Sequence, residues 1–513
     1  MLVVSIGHFR AQDSLLWSKP VANGVHTSNH KFSAIDNIGN MYFTGSFSVP
    51  KDFELGAGTK TLAPAGGPTL FLYKLSPDGV FLWIRKLGIG LYSILVTDHH
   101  NNIIVCSGED IFKLNPEGKF IWIKKIEGGD ARARDVRVDK DNNILIAGTF
   151  IEDTDFDPGI GQYILRGPGY GPYSTTWYAG FVLKLSEQGN FHWAEKIEIN
   201  KKSTLVRMAL NEDEIFLTYK NAESESELVK LDKAGEKIWL QNFGPEFNLH
   251  VIESDQGGNL LCAGTFTGNI DADPGEEIKQ FSTSMGTMTL SNGMVVNDYD
   301  LLLIKLKTTG QFNWARQIGG KAGEVVKDLY VGPDALIYVT GSASGATDFD
   351  PSEGYYSLKS KRKDFGYYAI YDTLGNFVCA NEALATSHPT LQTTVHGIHV
   401  DESNNIYTVA SQWQYGVYMI TKVRECRLTV EKEEIGPPTD GRFTVFPNPS
   451  EGKFQINAVI PCYYRLLDMT GKILLKGDLQ EGKNTVHTGS YSGLCILELQ
   501  NQDLVQRFKV VIR

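Results

Sequence analysis

Phe181-Val-Leu-Lys-Leu-Ser-Glu-Gln-Gly-Asn-Phe-His-Trp193 decides the fold. It is an apolar run, a polar turn carrying Gly, and a second run ending on Trp. The phrase recurs as Phe71-Leu-Tyr-Lys-Leu-Ser-Pro-Asp-Gly-Val-Phe-Leu-Trp83 and Ile111-Phe-Lys-Leu-Asn-Pro-Glu-Gly-Lys-Phe-Ile-Trp122. It returns in Leu228 to Trp239, in Leu301 to Trp314, and in a weaker copy from Tyr367 to Cys379, with Cys in the Trp place. Two short apolar runs around a Gly turn read as a β-hairpin.

A second landmark precedes each hairpin. It reads Asp36-Asn-Ile-Gly-Asn-Met-Tyr-Phe-Thr-Gly-Ser-Phe47, Asp139-Lys-Asp-Asn-Asn-Ile-Leu-Ile-Ala-Gly-Thr-Phe150 and Asp255-Gln-Gly-Gly-Asn-Leu-Leu-Cys-Ala-Gly-Thr-Phe266. Asp98 to Gly108 and Asp401 to Ser411 match closely; Asn211 to Tyr219 and Gly332 to Gly341 match loosely. Asp, Asn and Gly at this spacing make tight turns, because Asx side chains bond their own backbone and Gly accepts positive φ. The unit is therefore four antiparallel strands, the description of a propeller blade.

Seven landmarks and seven third strands, the last being Val417-Tyr-Met-Ile-Thr-Lys422, meet only six following fourth strands. The missing one stands alone as Ser14-Leu-Leu-Trp-Ser-Lys19. The expected fold is all-β: a seven-bladed β-propeller over 14–423, closed by the N-terminal strand, which removes two raw sheet edges. Trp17, Trp83, Trp122, Trp193, Trp239 and Trp314 are read as structural rings between blades.

Long insertions separate the second and third strands of blades 1, 3, 5 and 6, at about 48–68, 151–179, 267–299 and 342–365. In an up-down-up-down blade these connections all emerge on one face, so binding is expected there. The blade 3 insertion carries Tyr163, Tyr170, Tyr173, Trp177 and Tyr178, flat rings suited to stacking on sugars or anchoring a protein. Three insertions share an acidic pair: Asp155 and Asp157, Asp271 and Asp273, Asp348 and Asp350. Such pairs beside a Gly turn could contribute to a structural Ca²⁺ site, with turn capping as the alternative.

Composition excludes several classes. A net charge of -11 argues against a nucleic-acid surface. No apolar run approaches the roughly 18–20 residues that span a bilayer. The six cysteines lack metal spacing and read as structural thiols. There is no Gly-x-Ser-x-Gly, His-Glu-x-x-His or P-loop, so no catalytic residue and no cofactor is assigned. His396 and His399, at i and i+3 on a strand, are expected on opposite faces. Carboxylates or histidines at the channel mouth would favour a secreted polysaccharide-active enzyme over a binding module.

Residues 424–442 read as a charged, Pro/Gly linker, and 443–513 as a small Ig-like β-sandwich. This last stretch carries Val445-Phe-Pro-Asn-Pro-Ser-Glu-Gly-Lys-Phe454, Leu467-Asp-Met-Thr-Gly-Lys472, Gly482-Lys-Asn-Thr485, Ser492-Gly-Leu494 and Lys509-Val-Val-Ile-Arg513. It resembles the type A C-terminal sorting domain of the type IX secretion system, with Pro447, Asn448, Pro449, Gly452, Gly471 and Lys472 as its motif residues. Cys495 stands where that family usually has an aromatic. The resemblance implies passage through the periplasm, engagement of the translocon and a sortase, and an extracellular or outer-membrane surface location. The family also expects a signal peptide; residues 1–13, with Phe9-Arg-Ala-Gln-Asp13, read as a remnant of one, or as an ordinary frayed terminus. The region 14–423 resembles bacterial surface β-propeller repeats marked by Asp-Phe-Asp-Pro-Gly and Lys-Leu-x-x-x-Gly-x-Phe-x-Trp. The expected function is a secreted or surface-displayed module that binds an unknown glycan or protein.

Overall fold

The computed structural model describes residues 15–23, 25–27, 31–54, 58–171, 176–199, 206–212, 214–275, 277–284, 287–289, 295–297, 299–320, 323–352, 355–358, 364–383, 393–412, 417–424, 443–446, 453–467, 473–488, 493–501 and 504–512. Every described element is a strand. Among the described residues no helix is long and apolar enough to cross a membrane. The chain divides into two compact units, Met1–Leu428 and Thr429–Arg513.

The larger unit holds seven antiparallel sheets of at least four strands each. The first runs Ser33–Ile35, Met41–Phe47, Thr69–Leu75 and Phe81–Ile89, each strand pairing with the next. Five more follow the same order, beginning on Ile94–Thr97, Arg132–Val138, Val206–Asn211, Phe247–Ser254 and Val325–Val331. The seventh takes Thr393–Val400, Ile406–Gln412 and Val417–Val423, and its fourth strand is Leu15–Asn23 from the other end of the unit. The first strands touch one another in sequence, and that of sheet seven touches that of sheet one, so these contacts form a closed cycle.

Burial explains the residue types. Second and third strands such as Met41–Phe47, Thr69–Leu75 and Ile144–Phe150 are buried along their whole length, and so read as continuous apolar runs. Fourth strands such as Phe120–Lys125 and Lys237–Asn242 alternate exposed and half-buried residues and carry the charges that blunt a sheet edge.

The repeated Lys and Trp are explained together. They sit opposite each other across the third and fourth strands: Lys74 with Trp83, Lys113 with Trp122, Lys184 with Trp193, Lys230 with Trp239, Lys305 with Trp314, and Lys422 with Trp17. In five of these pairs both reach the hairpin turn of the next sheet, and in the sixth the Trp193 indole N–H donates to the Lys233 carbonyl at 3.0 Å. The Trp83 indole N–H and the Lys74 ammonium donate to the Pro116 carbonyl, each at 3.1 Å. Trp122 and Lys113 share the Glu187 carbonyl at 3.2 Å, and Trp314 and Lys305 share that of Thr373 at 3.3 and 3.1 Å. Trp17 and Lys422 close the cycle on Pro77 of sheet one, at 3.0 and 3.2 Å. The turn glycine is fixed by the same contact: a Cβ on Gly79, whose φ is +72°, would meet the Trp17 ring at 2.8 Å.

Each of these lysines also neutralises an acid of its own sheet. Lys113 lies 2.8 Å from Asp98, Lys184 2.9 Å from Asp139, and Lys305 2.7 Å from Asp255. The same aspartates cap their turns; Asp139 Oδ1 accepts the amides of Asp141 and Asn143 at 3.0 and 2.8 Å. Breaking such a buried pair by removing one partner costs about 3–5 kcal/mol, so the pairs fix register even if their net contribution is small.

Sheet six lacks all three residues: Gly332 stands for Asp, Ile370 for Lys and Cys379 for Trp. The reason lies in sheet seven. Its third and fourth strands come from opposite ends of the unit, so no hairpin turn joins them to accept from sheet six. Cys379 is instead disulfide-bonded, which corrects its reading as a thiol. Cys106, Cys262, Cys462 and Cys495 are buried thiols outside any disulfide, and Cys426 lies outside the described residues.

The smaller unit has a three-stranded sheet (Phe443–Phe446, Lys453–Ala458, Gly482–His487) and a four-stranded one (Ile473–Leu479, Cys462–Leu467, Gly493–Asn501, Leu504–Ile512). One core cluster draws on both, with Phe454, Ile456 and Val486 from the first and Leu466, Cys495 and Leu497 from the second. Pro447, Asn448, Pro449, Gly452, Gly471 and Lys472 lie outside the described residues, as do residues 1–14 and 425–442.

Candidate functional site

The first strand of each sheet starts where the chain arrives from the previous sheet, the end from which the insertions also leave. Three insertions open with a short hairpin: Lys51–Asp52 with Thr61–Leu62, Thr154–Asp155 with Ile164–Leu165, and Asn269–Asp271 with Gln280–Ser282. In the fourth, Thr347–Asp348 pairs with the end of Phe312–Gly320.

The acidic pairs cap these loops. Asp155 Oδ1 accepts the amides of Asp157 and Tyr163 at 3.1 and 2.8 Å, and Asp157 Oδ1 accepts that of Gly159 at 2.8 Å. Asp271 and Asp273, and Asp348 and Asp350, repeat the arrangement. Asp52 is a fourth copy missed in the sequence, accepting from Glu54 and Lys60 at 3.1 and 2.7 Å; its Asp-Phe-Glu lacks the Pro-Gly signal. The intervening Phe53, Phe156 and Phe349 are fully buried against Phe71, Phe181 and Tyr367. Among the described residues no third His, Cys, Asp or Glu joins any of the pairs at metal-ligand distance. The group that does converge is Asp98, His100 and Glu187, on the opposite face. A cation already sits there: Lys113 Nζ is 2.8 Å from Asp98 and 3.4 Å from Glu187.

The blade 3 aromatics divide. Tyr163 packs on Phe191 with ring centroids 5.0 Å apart, and Tyr178 packs against the core shared with sheet four. Tyr170 is exposed, and the half-buried Trp177 lies over Gly171, where a Cβ would meet its indole at 2.3 Å. Tyr173 lies outside the described residues. Tyr170 and Tyr178 both act electrostatically on Arg132, and Tyr178 also on Arg134, which places these rings near the start of the strand Arg132–Val138.

The channel wall itself is charged. At its deeper level Arg137 bridges Glu253 at 2.8 Å and Asp135 at 3.5 Å. Asp328 accepts the amides of Leu329 and Ile398 at 3.0 and 3.1 Å, and burial pushes its carboxyl up to about 6. His399 shares a hydrogen bond with Ser33 at 2.9 Å, His396 with Ser411 at 2.6 Å and His250 with Thr265 at 3.1 Å. Burial lowers them to about 3, 4 and 4. A bulge between Val395 and Gly397 falls at His396, so the regular alternation assumed from the i, i+3 spacing does not hold. Channel carboxylates and histidines are thus present, the feature set aside for an enzyme, but each one named is held by the protein itself.

No protein-family model and no curated protein matches the chain. Among solved structures it is similar to the Dos1 propeller (10% identity, TM-score 0.38, covering 80% of this chain and 96% of that one). It is also similar to the WD40 domain of Toxoplasma gondii coronin (10% identity, TM-score 0.42, 80% and 87% covered). A third is a gluconolactonase from Xanthomonas campestris (12% identity, TM-score 0.30, 63% and 96% covered). The larger unit is a β-propeller. Its own strand order and the cyclic contacts of its first strands carry that assignment.

Proposed function

We propose that the chain is an exported, seven-bladed β-propeller binding module that takes a glycan or protein ligand on its insertion face. The observation that carries this reading is the crowding of four insertions, one with exposed and half-buried rings at Tyr170 and Trp177, around one end of the cyclic unit. Trp177 is the anchor. Trp177→Ala is expected to weaken ligand binding by on the order of 2 kcal/mol with little change in melting temperature. A glycan and protein array probed with the full chain supplies the ligand; a melting drop of several degrees with unchanged binding would show that the ring is packing only.

Export through the type IX system, with the Thr429–Arg513 unit as the sorting signal, belongs to the same reading. It is supported by the motif residues in 443–513 and by the disulfide at Cys379, a bond that persists in oxidising compartments. A reporter joined to a signal peptide and residues 443–513 should reach the surface of a type IX-competent host; retention in the periplasm would refute the assignment.

The second reading is a secreted polysaccharide-active enzyme, favoured by His250, His396 and Asp328 in the channel. Release of shortened sugars from any array ligand would decide for it.

A further inference from the structure

Four of the first strands carry a β-bulge. The skipped residue lies between Ala133 and Asp135, between Leu249 and Val251, between Val326 and Asp328, and between Val395 and Gly397. Those residues are Arg134, His250, Lys327 and His396, and all four are basic. Each stands five positions before the turn landmark of its sheet, at Asp139, Asp255, Gly332 and Asp401. Lys31 holds the same position before Asp36 and has a φ of 54°, a left-handed backbone unusual for a residue with a side chain. A bulge re-aims one side chain at the cost of a ladder position, and bulges gather beside functional sites. Here one level of the channel, at its insertion-face end, receives a re-aimed basic residue from sheets three, five, six and seven, with Lys31 from sheet one.

Acids lie near these groups, Asp130 by Arg134, Asp135 and Asp328 by Arg207, and Asp328 by Lys31, but they leave buried donors unsatisfied. Arg134 Nε, Arg207 Nε and His396 Nδ1 are buried without a hydrogen-bond partner among the described residues. Arg207 is half-buried, and its Nη1 donates to the Val206 carbonyl at 2.9 Å. The cations also repel one another, Arg134 acting on Arg207 and Arg207 on Lys327, and after burial it is these cations that keep His250 and His396 unprotonated. Asp130, the acid nearest the rim, is taken by Arg132 through two hydrogen bonds of 3.1 and 2.8 Å. Glu253, one level deeper, is taken by Arg137. A protein of net charge -11 has concentrated cations where they are desolvated and mutually repelling. An anion entering the channel would relieve both costs.

We propose that the insertion-face mouth of the channel binds an oxyanion carried on a sugar chain, a uronate carboxylate or a sulfate ester, through Arg134, Arg207 and Lys327, with His250 and His396 lining the site. The sugar chain is assigned because the blade 3 loop, with Tyr170 and Trp177, flanks Arg132 and Arg134 and offers flat rings beside the charge. The proposal rests on the insertion-face reading above and names the ligand class for it.

Titration calorimetry of the full chain tests it with four probes: an oligogalacturonate, its methyl ester, a sulfated oligosaccharide and sodium sulfate. One or both acidic sugars should bind, the methyl ester should not, and raised salt should weaken the complex. The uronate and sulfate arms tell the two oxyanions apart. Arg134→Gln with Lys327→Gln should lower affinity at least about tenfold. Because the change removes mutual repulsion, the melting temperature should hold; should the double variant fail to fold, Lys327→Met alone serves. Equal binding of acid and ester, or full affinity in the double variant, would overturn the site. Sodium sulfate binding as tightly as the sugars would overturn the sugar assignment. A neutral glycan lost in Trp177→Ala but kept in the double variant sinks the oxyanion site and leaves the insertion-face reading standing. Acidic sugars lost in the double variant but kept in Trp177→Ala do the reverse for the aromatic anchor.

Discussion

Taking the protein from pH 6.5 to pH 4 is expected to strip it of most of its stability. Burial lowers His250 and His396 from 6.5 to about 4 and His399 to about 3. In this window the unfolded chain takes up protons that the folded channel refuses. The stability these groups contribute is therefore full above 6.5 and lost as the pH falls toward 4. Each histidine accounts for on the order of 3 kcal/mol across that range. Asp328 works the other way: its carboxyl, raised from 3.8 to about 6, accepts a proton in the folded state first, so it returns about 3 kcal/mol over much of the same window. The balance is a net loss of on the order of 6 kcal/mol, comparable with the whole stability of many domains. Below 3.8 the capping acids Asp98, Asp139, Asp255 and Asp401, held under their ordinary range by lysine and asparagine partners, add to the loss. Thermal melts at unit pH steps provide the check. His399→Gln, which can still bond Ser33, should flatten the slope; a midpoint that stays level from 6.5 to 4 would mean these rings are not shielded as described.

Removing residues 14–23 should do comparable damage at neutral pH. The strand Leu15–Asn23 completes sheet seven along Val417–Val423, and its Trp17 holds the Pro77 carbonyl of sheet one. Val21 is fully buried, and Trp17 packs against the same core as Phe43 and Tyr407. Losing a buried Val, most of a Trp and a strand's ladder costs at least about 5 kcal/mol. It also bares the edge of Val417–Val423, an invitation to aggregate. Trp17→Phe is the graded control: it keeps most of the burial and drops one hydrogen bond, a loss of about 1 kcal/mol. A truncated chain that melts with the parent and stays monomeric would show that the N-terminal strand is ornamental.

The fold was legible because its period is written in residues that hairpins require, Gly in the turn and Trp four positions later. The purpose of the Lys was not, since its partners Asp98 and Glu187 belong to different turns that only pairing brings together. The basic channel level was equally hidden. Arg134, His250, Lys327 and His396 share a spacing from the landmark, but counting side chains along a straight strand misplaces them once a bulge adds a residue. The same shift undid the face assignment of His396 and His399. Asp52 escaped notice because the function of its loop lies in an oxygen that caps amides, not in the Pro-Gly that made the other copies conspicuous. Tyr163 looked like its neighbours in sequence, yet the hairpin Thr154–Asp155 with Ile164–Leu165 carries it to Phe191, away from the rim.

The pairing of Leu15 with Val423 has a mechanical consequence. The start of the closing strand lies beside the end of its partner, so a pull on the two ends of the unit loads the ladder at one extremity. Hydrogen bonds then break in succession, as in a zipper, rather than all at once in shear. A propeller moored through the chain beyond Val423 and tugged at its front would open at this seam first, and the other six sheets, whose strands follow one another along the chain, would feel the force only afterwards.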